Sequence, residues 1–135
     1  MLTLNIKIII FAILFLSIIP LQKVLAAEIP AIKADKGLVV VYRVKRMKGA
    51  AIPIGIHYTN GSVGTLSSGS VISKYLTPGE YNFYSKVIVE DSLNVNVEAG
   101  HIYFIEGFTK MGFVVSRPKL RLVPEKEAKK AIKKI

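Results

Sequence analysis

The segment Ile54–Leu66 has the sequence IGIHYTNGSVGTL, in which apolar and polar residues alternate up to a central Asn60-Gly61 pair. Alternation with a period of two is typical of a strand that buries one face. Asparagine followed by glycine readily adopts the positive backbone dihedrals of a two-residue hairpin turn. We therefore predict a β-hairpin in which Ile54–Tyr58 pairs with Ser62–Leu66.

Strand patterns continue on both sides of this hairpin, over residues 37–123. They are separated by turn sequences at Ser67-Ser68-Gly69, Thr77-Pro78-Gly79, Glu90-Asp91-Ser92 and Ala99-Gly100. The most apolar run, His101–Phe108, predicts a central strand covered on both faces, with Ile102 and Phe104 on one face and Tyr103 and Ile105 on the other. A last short hairpin is predicted around Pro118. Roughly seven to nine short strands with no helix between them predict a mostly β protein with a single antiparallel β-sandwich.

The N-terminal residues have a different pattern. Residues 1–27 combine Lys7, the apolar run Ile8–Leu21 and the small residues Ala26-Ala27, which is the layout of a secretory signal peptide. We expect cleavage after Ala26 or Ala27 and export to the periplasm or cell envelope. The alternative is an uncleaved N-terminal membrane anchor, although the run is shorter than the ~20 residues of a spanning helix. Residues 28–36 then form a short lead to the sandwich domain of residues 37–123.

The C-terminal residues 124–135 predict a short basic helix. Pro124 suits the first helical position, and Glu125 and Glu127 suit the first turn, where the helix dipole favours acidic side chains. Ala128, Ala131 or Ile132, and Ile135 share a narrow apolar stripe. The domain is thus expected to end in a helix that follows the last strand.

Five short motifs occur in the order and spacing of a known family. They are Gly37–Arg43 (GLVVVYR), the glycine turn at Asn60–Gly64, Leu76–Tyr81 (LTPGEY), Glu98–Phe104 (EAGHIYF) and Leu122–Glu125 (LVPE). In these motifs the chain resembles the bacterial domain of unknown function 2846 (DUF2846). The resemblance implies an exported, β-rich domain, and it supplies no catalytic residues. Within that class we expect an immunoglobulin-like or PEGA-like sandwich. Members often resemble lipoproteins, whereas this chain has no cysteine to carry a lipid.

Composition narrows the possible chemistry. The chain has 135 residues, of which 51% are hydrophobic and 21% charged, and none is cysteine. These values exclude a disordered chain, a disulfide scaffold, a thiolate metal site and a cysteine nucleophile. The two histidines, His57 and His101, are too few for a metal site without converging carboxylates. We expect no cofactor, no metal and no catalytic residue.

Three classes of function stay open on this evidence. The first is a non-catalytic envelope domain that binds a protein partner or an anionic polymer. The second is a hydrolase with an unrecognised carboxylate pair among Glu80, Glu90, Asp91, Glu98 and Glu106. The third is a structural subunit of an envelope or secretion assembly. Six tyrosines also allow a carbohydrate-stacking platform, although most tyrosines of small sandwiches are half-buried packing residues. The oligomeric state is left open.

Positive charge is concentrated in two clusters, within a net charge of +10. One cluster contains Arg43, Lys45, Arg46 and Lys48; the other, on the C-terminal helix, contains Lys126, Lys129, Lys130, Lys133 and Lys134. They are candidate contacts to an anionic surface such as phospholipid headgroups or lipopolysaccharide phosphates. The other interpretation, which we prefer on the sequence alone, is that the apolar stripe packs on the sandwich while the lysines are merely solvated. Nucleic acid is not expected as a partner, since an exported chain rarely meets it and no binding module is present.

Overall fold

The computed structural model describes residues 29–45, 52–86, 90–111 and 116–135. These residues form eight strands and one helix. The elements are β1 (Gly37–Arg43), β2 (Ile54–Tyr58), β3 (Gly61–Leu66), β4 (Ser70–Leu76), β5 (Gly79–Lys86), β6 (Glu90–Val97), β7 (Ile102–Met111), β8 (Ser116–Val123) and α1 (Glu125–Ile132). The predicted signal peptide, residues 1–27, lies outside the described residues. No helix in the four described ranges is long and apolar enough to cross a membrane.

The strands form two four-stranded sheets, which confirms the predicted β-sandwich. Sheet A has the order β4-β1-β7-β8, and sheet B has the order β3-β2-β5-β6. All neighbouring strands are antiparallel except β1 and β7, which pair in parallel with Val41 opposite Ile105. Both of these strands are apolar on both faces, and a parallel pair in the interior of a sheet suits strands that are covered twice.

The predicted hairpin is confirmed as β2 and β3. Ile54 pairs with Leu66 and Tyr58 with Gly61, and the register shifts between Ile56 and His57. This bulge lets Val63 as well as Leu66 pack on the core between the sheets. The hairpin therefore keeps its apolar side inward although the two strands differ in length.

Two predicted turns are wrong. Glu90, Asp91 and Ser92 are the first residues of β6, in ladder positions opposite Lys86, Ser85 and Tyr84. Pro118 lies inside β8, opposite Thr109 of β7, and not in a hairpin. A proline has no N–H to donate, and β8 tolerates it because β8 is an edge strand with one unpaired side.

Two apolar clusters hold these layers together. The first lies between the sheets and includes Val39, Ile56, Phe83 and Ile105. The second lies on the outer face of sheet A, where Leu38, Val40 and Phe104 are covered by Ala128 and Ile132 of α1. β7 therefore has Phe104 on one face and Ile105 on the other, which confirms it as a strand covered twice. In the ranges that the structure describes, no helix covers the outer face of sheet B.

The lead before β1 also lies against sheet A. Ile29 packs on the second cluster, and the Tyr75 hydroxyl donates a hydrogen bond to the Ala31 carbonyl. The Lys33 ammonium lies 4.1 Å from the centroid of the Tyr75 ring. Residues 29–36 and α1 together cover the outer face of sheet A.

Candidate functional site

The C-terminal helix is fixed on the domain by its apolar side. Ala128 is fully buried and Ile132 is 6% exposed, and Ala131 and Ile135 pack on the same cluster. The expectation that the apolar stripe packs on the sandwich is thus confirmed. Pro124 precedes the helix instead of occupying its first position, with Glu125 as the first helical residue.

Three lysines of α1 and the residue that caps its C-terminus, Lys133, project on the side opposite this stripe. At 3.6 residues per turn, Lys126, Lys129, Lys130 and Lys133 fall within an arc of roughly 100° centred away from Ala128 and Ile132. All four are exposed, as is Lys134 in the turn that follows. The ammonium of Lys129 lies 2.6 Å from the carboxylate of Glu125, one turn earlier. The remaining lysines form a positively charged face. Its orientation is fixed because the apolar side of the helix packs on sheet A.

An arginine on β8 ties the helix to sheet A. Nη2 of Arg121 donates to Oε2 of Glu106 at 2.5 Å and to Oε1 of Glu127 at 3.0 Å. The Glu106 side chain is 7% exposed, whereas that of Glu127 is 52% exposed. These hydrogen bonds raise the pKa of Arg121 above its ordinary value. Beneath them, burial and then the charge of Glu106 raise the pKa of Tyr42 to about 12, so this phenol is neutral.

The prediction that Arg43 contacts an anionic surface is wrong. It is 4% exposed, and its guanidinium donates to the carbonyls of Ile52 at 2.6 Å and Leu66 at 3.3 Å and to the Thr109 hydroxyl at 3.2 Å. Burial lowers the pKa of Arg43 from its ordinary value. The residue falls on the inward face of β1, because its neighbours Val39 and Val41 also point between the sheets. Its position in the sequence beside Lys45 and Arg46 suggests a charged surface cluster, but the alternation of inward and outward residues along β1 places Arg43 inside.

Lys45 is exposed and lies near the C-terminal end of the helix. A Cβ placed on Gly69 would lie 3.5 Å from Cβ of Lys45 and 4.0 Å from Cγ2 of Ile135. The first basic cluster therefore contributes Lys45 to the same end of the molecule as Lys133 and Lys134. Arg46 and Lys48 lie outside the described residues.

A second candidate surface lies on the outer face of sheet B, and the sequence patterns did not predict it. A cleft of about 520 Å³ there is lined by Thr59, Glu80, Tyr81, Asn82, Asn94, Val95 and Asn96. Nδ2 of Asn82 donates to Oδ1 of Asn94 at 2.7 Å, and Oγ1 of Thr59 accepts the backbone N–H of Asn82 at 3.1 Å. The signal in the sequence was the alternation of asparagines with apolar residues in β5 and β6.

The six tyrosines do not form one platform. Tyr42 is buried under α1, and Tyr75 packs on the same cluster. Tyr58, Tyr81 and Tyr103 pack on the core between the sheets. Tyr84 lies on the outer face of sheet B, where its ring stacks on His57 with the centroids 5.4 Å apart.

The carboxylates of the hydrolase alternative are dispersed. Glu106 is bound to Arg121, and Asp91 accepts the Leu120 N–H at 2.8 Å and the Lys119 ammonium at 3.2 Å. Glu80 is the acidic residue that lines the cleft. Glu98 lies 3.8 Å from His101 on an exposed turn. Within the described residues, no three histidine or acidic side chains come together as a metal site would require.

Comparison with known proteins finds an uncharacterized protein of Haemophilus influenzae, 31% identical over 104 residues. The match covers 76% of this chain and 61% of that protein, so the chain spans less than two thirds of its relative. No protein-family model matches the chain, and no solved structure matches it. The resemblance to DUF2846 therefore stays a prediction.

Proposed function

We propose that this chain is a non-catalytic binding domain of the bacterial envelope that attaches to an anionic surface through the lysine side of α1. The observation that carries the proposal is the orientation of the helix. Ala128 and Ile132 are packed against sheet A, so Lys126, Lys130 and Lys133 are presented together on the opposite side. Such a surface needs no insertion of apolar side chains to bind phosphate groups.

The magnitude of this attraction follows from the number of lysines. Each basic residue close to an anionic membrane contributes about 1 kcal/mol. Lys126, Lys130 and Lys133 together would supply about 3 kcal/mol, or about a hundredfold in affinity. Lys129 is partly neutralised by Glu125 at 2.6 Å, and its contribution is smaller. Lys45 adds charge at the end where Ile135 lies.

The placement in the envelope rests on the predicted signal peptide of residues 1–27. N-terminal sequencing of protein recovered from the envelope fraction tests this part. We expect a first residue of Ala27 or Glu28, and a chain that still begins at Met1 would contradict cleavage.

Vesicle flotation tests the attachment. The protein in the form recovered from cells is mixed with phosphatidylglycerol or phosphatidylcholine vesicles, with salt raised from about 50 to about 500 mM. We expect attachment to the anionic vesicles at low salt, and we expect it to weaken as salt screens the charges. The triple variant Lys126→Gln/Lys130→Gln/Lys133→Gln should lose about a hundredfold in affinity.

A matched control removes the same charge elsewhere. Lys33, Lys110 and Arg117 are exposed and lie outside α1, and their triple substitution by glutamine also lowers the net charge by three. This control should keep most of the attachment. Equal weakening by the two triple variants would mean that net charge alone is responsible, and absence of attachment at low salt would contradict the proposal.

A further inference from the structure

The outer face of sheet B offers a binding surface of a different chemistry from that of α1. Its strands alternate, so Phe83, Val95 and Val97 point into the core and their neighbours point outward. The outward residues Glu80, Asn94 and Asn96 are exposed. Sheet A is covered by α1 and the lead, whereas no helix among the described residues packs on this face along β5 and β6.

Three asparagines, Asn82, Asn94 and Asn96, line the cleft on this face. The Asn82 amide donates to the Asn94 carbonyl oxygen at 2.7 Å, which orients both side chains. Among the residues described, the second amide proton of Asn82, its side-chain carbonyl oxygen and the Asn94 amino group have no hydrogen-bond partner. In the described part of the chain, the Asn96 side chain has no hydrogen-bond partner. An amide presents a donor and an acceptor side by side, and a hydroxyl group of a ligand can satisfy both.

An aromatic ring lies next to these amides. Tyr84 is two residues from Asn82 on the same face of β5, a separation of about 7 Å. Stacking on His57, at 5.4 Å between centroids, restricts the orientation of the ring. Flat aromatic rings with an apolar face and a polar hydroxyl suit ligands that are apolar on one side and polar on the other.

The charge of the cleft disfavours anionic ligands. Glu80 is the charged residue in its lining, and the basic clusters lie on α1 and at Lys45. An anionic ligand would therefore meet a carboxylate in the cleft, whose described lining includes no lysine or arginine. From Glu80 to Tyr84 the face extends about 13 Å, which suits an extended ligand and not a single sugar ring.

From these observations we propose that the outer face of sheet B binds a flat, extended, neutral oligosaccharide. The asparagine amides would bond its hydroxyl groups, and Tyr84 would pack against one sugar ring. This inference does not depend on the proposed attachment through α1, because the two surfaces share no residue.

Nuclear magnetic resonance titration tests the proposal. The isotope-labelled protein, in the form recovered from cells, is titrated with chitohexaose, cellohexaose or maltohexaose up to about 5 mM, where a weak, exposed site begins to fill. Chitohexaose and cellohexaose are flat and extended, whereas maltohexaose is curved. We expect shifts of the Asn82, Asn94 and Asn96 side-chain amides with at least one of the flat ligands and weaker shifts with maltohexaose.

Variants separate binding from folding. Tyr84→Ala should weaken binding about tenfold, and Tyr84→Phe, which keeps the ring, should retain it. Asn94→Ala should also weaken binding. Thr65→Ala changes an exposed residue of the same sheet outside the cleft and should bind normally. The proposal is overturned if no flat ligand shifts the amides, if maltohexaose binds as well as the flat ligands, or if the Ala and Phe variants of Tyr84 behave alike.

Discussion

Replacing Arg121 by methionine should destabilise the domain by removing the arginine partner of the buried carboxylate of Glu106. Arg121 is bonded to two carboxylates of very different exposure, Glu106 at 7% and Glu127 at 52%. Removing one partner of a fully buried ion pair costs about 3 to 5 kcal/mol. Because the Arg121 side chain is itself 50% exposed, water can replace part of the lost interaction, and we expect a cost of about 2 kcal/mol.

The same geometry predicts a smaller loss of stability when the exposed partner, Glu127, is changed. Exposed ion pairs contribute about 0 to 1 kcal/mol, so Glu127→Gln should lower the free energy of unfolding by less than about 1 kcal/mol. Arg117 is an exposed residue of the same strand with no carboxylate partner among the described residues. Arg117→Met should therefore stay within about 0.5 kcal/mol of the wild type.

Urea unfolding followed by circular dichroism measures these differences. The double variant Arg121→Met/Glu106→Gln should be more stable than Arg121→Met alone, because a neutral amide is less costly to bury than a carboxylate that has lost its arginine. Thermal unfolding should show a fall of about 10 °C for Arg121→Met. A loss no larger than that of Arg117→Met, or no recovery in the double variant, would refute the role given to Arg121.

Two further predictions concern alkaline pH and a close backbone contact. The pKa of Tyr42 is raised from 10.0 to about 12, so its contribution to stability is full below pH ~10 and is lost as pH rises through ~12. Tyr42→Phe cannot ionise and should show a smaller loss over this interval in urea unfolding at each pH; parallel losses would contradict this. In Gly37→Ala, the new Cβ would overlap Cγ1 of the buried Val97 and lie 3.0 Å from the Glu98 carbonyl oxygen. We expect a loss of about 2 kcal/mol. In Gly55→Ala, the new Cβ would lie 3.2 Å from the half-buried His57 ring, and the loss should be under about 1 kcal/mol; equal losses would show that the overlap is not the cause.

Local sequence patterns were sufficient for most of the strands. The Asn60-Gly61 turn and the period-two alternation around it predicted β2 and β3, because the conformational demands of a tight turn fall on the two residues in it. The same alternation predicted that Phe104 and Ile105 lie on opposite faces of β7. The apolar stripe of α1 predicted which of its residues are buried, since helical spacing places Ala128 and Ile132 on one side.

Sequence patterns failed where a partner distant in the chain sets the outcome. Asp91 resembles a turn residue, yet it belongs to β6, where its carboxylate accepts the N–H of Leu120 from β8. Pro118 resembles a strand terminator, yet an edge strand accommodates it. Arg43 was expected at the surface beside Lys45, but its position on β1 directs it toward carbonyls of Ile52 and Leu66.

The two candidate surfaces also differ in how far the sequence alone predicts them. The charge of α1 is visible in the sequence because its lysines lie close together within residues 126–134, and a helix of known pitch arranges them without further information. The cleft on sheet B requires Asn82 and Asn94 to face each other across β5 and β6. The surface beside the cleft requires Tyr84 to point away from the core while Tyr58 and Tyr81 point into it. Strand pairing and sheet order fix those relations, because residues far apart in the chain become neighbours only after the two sheets have packed.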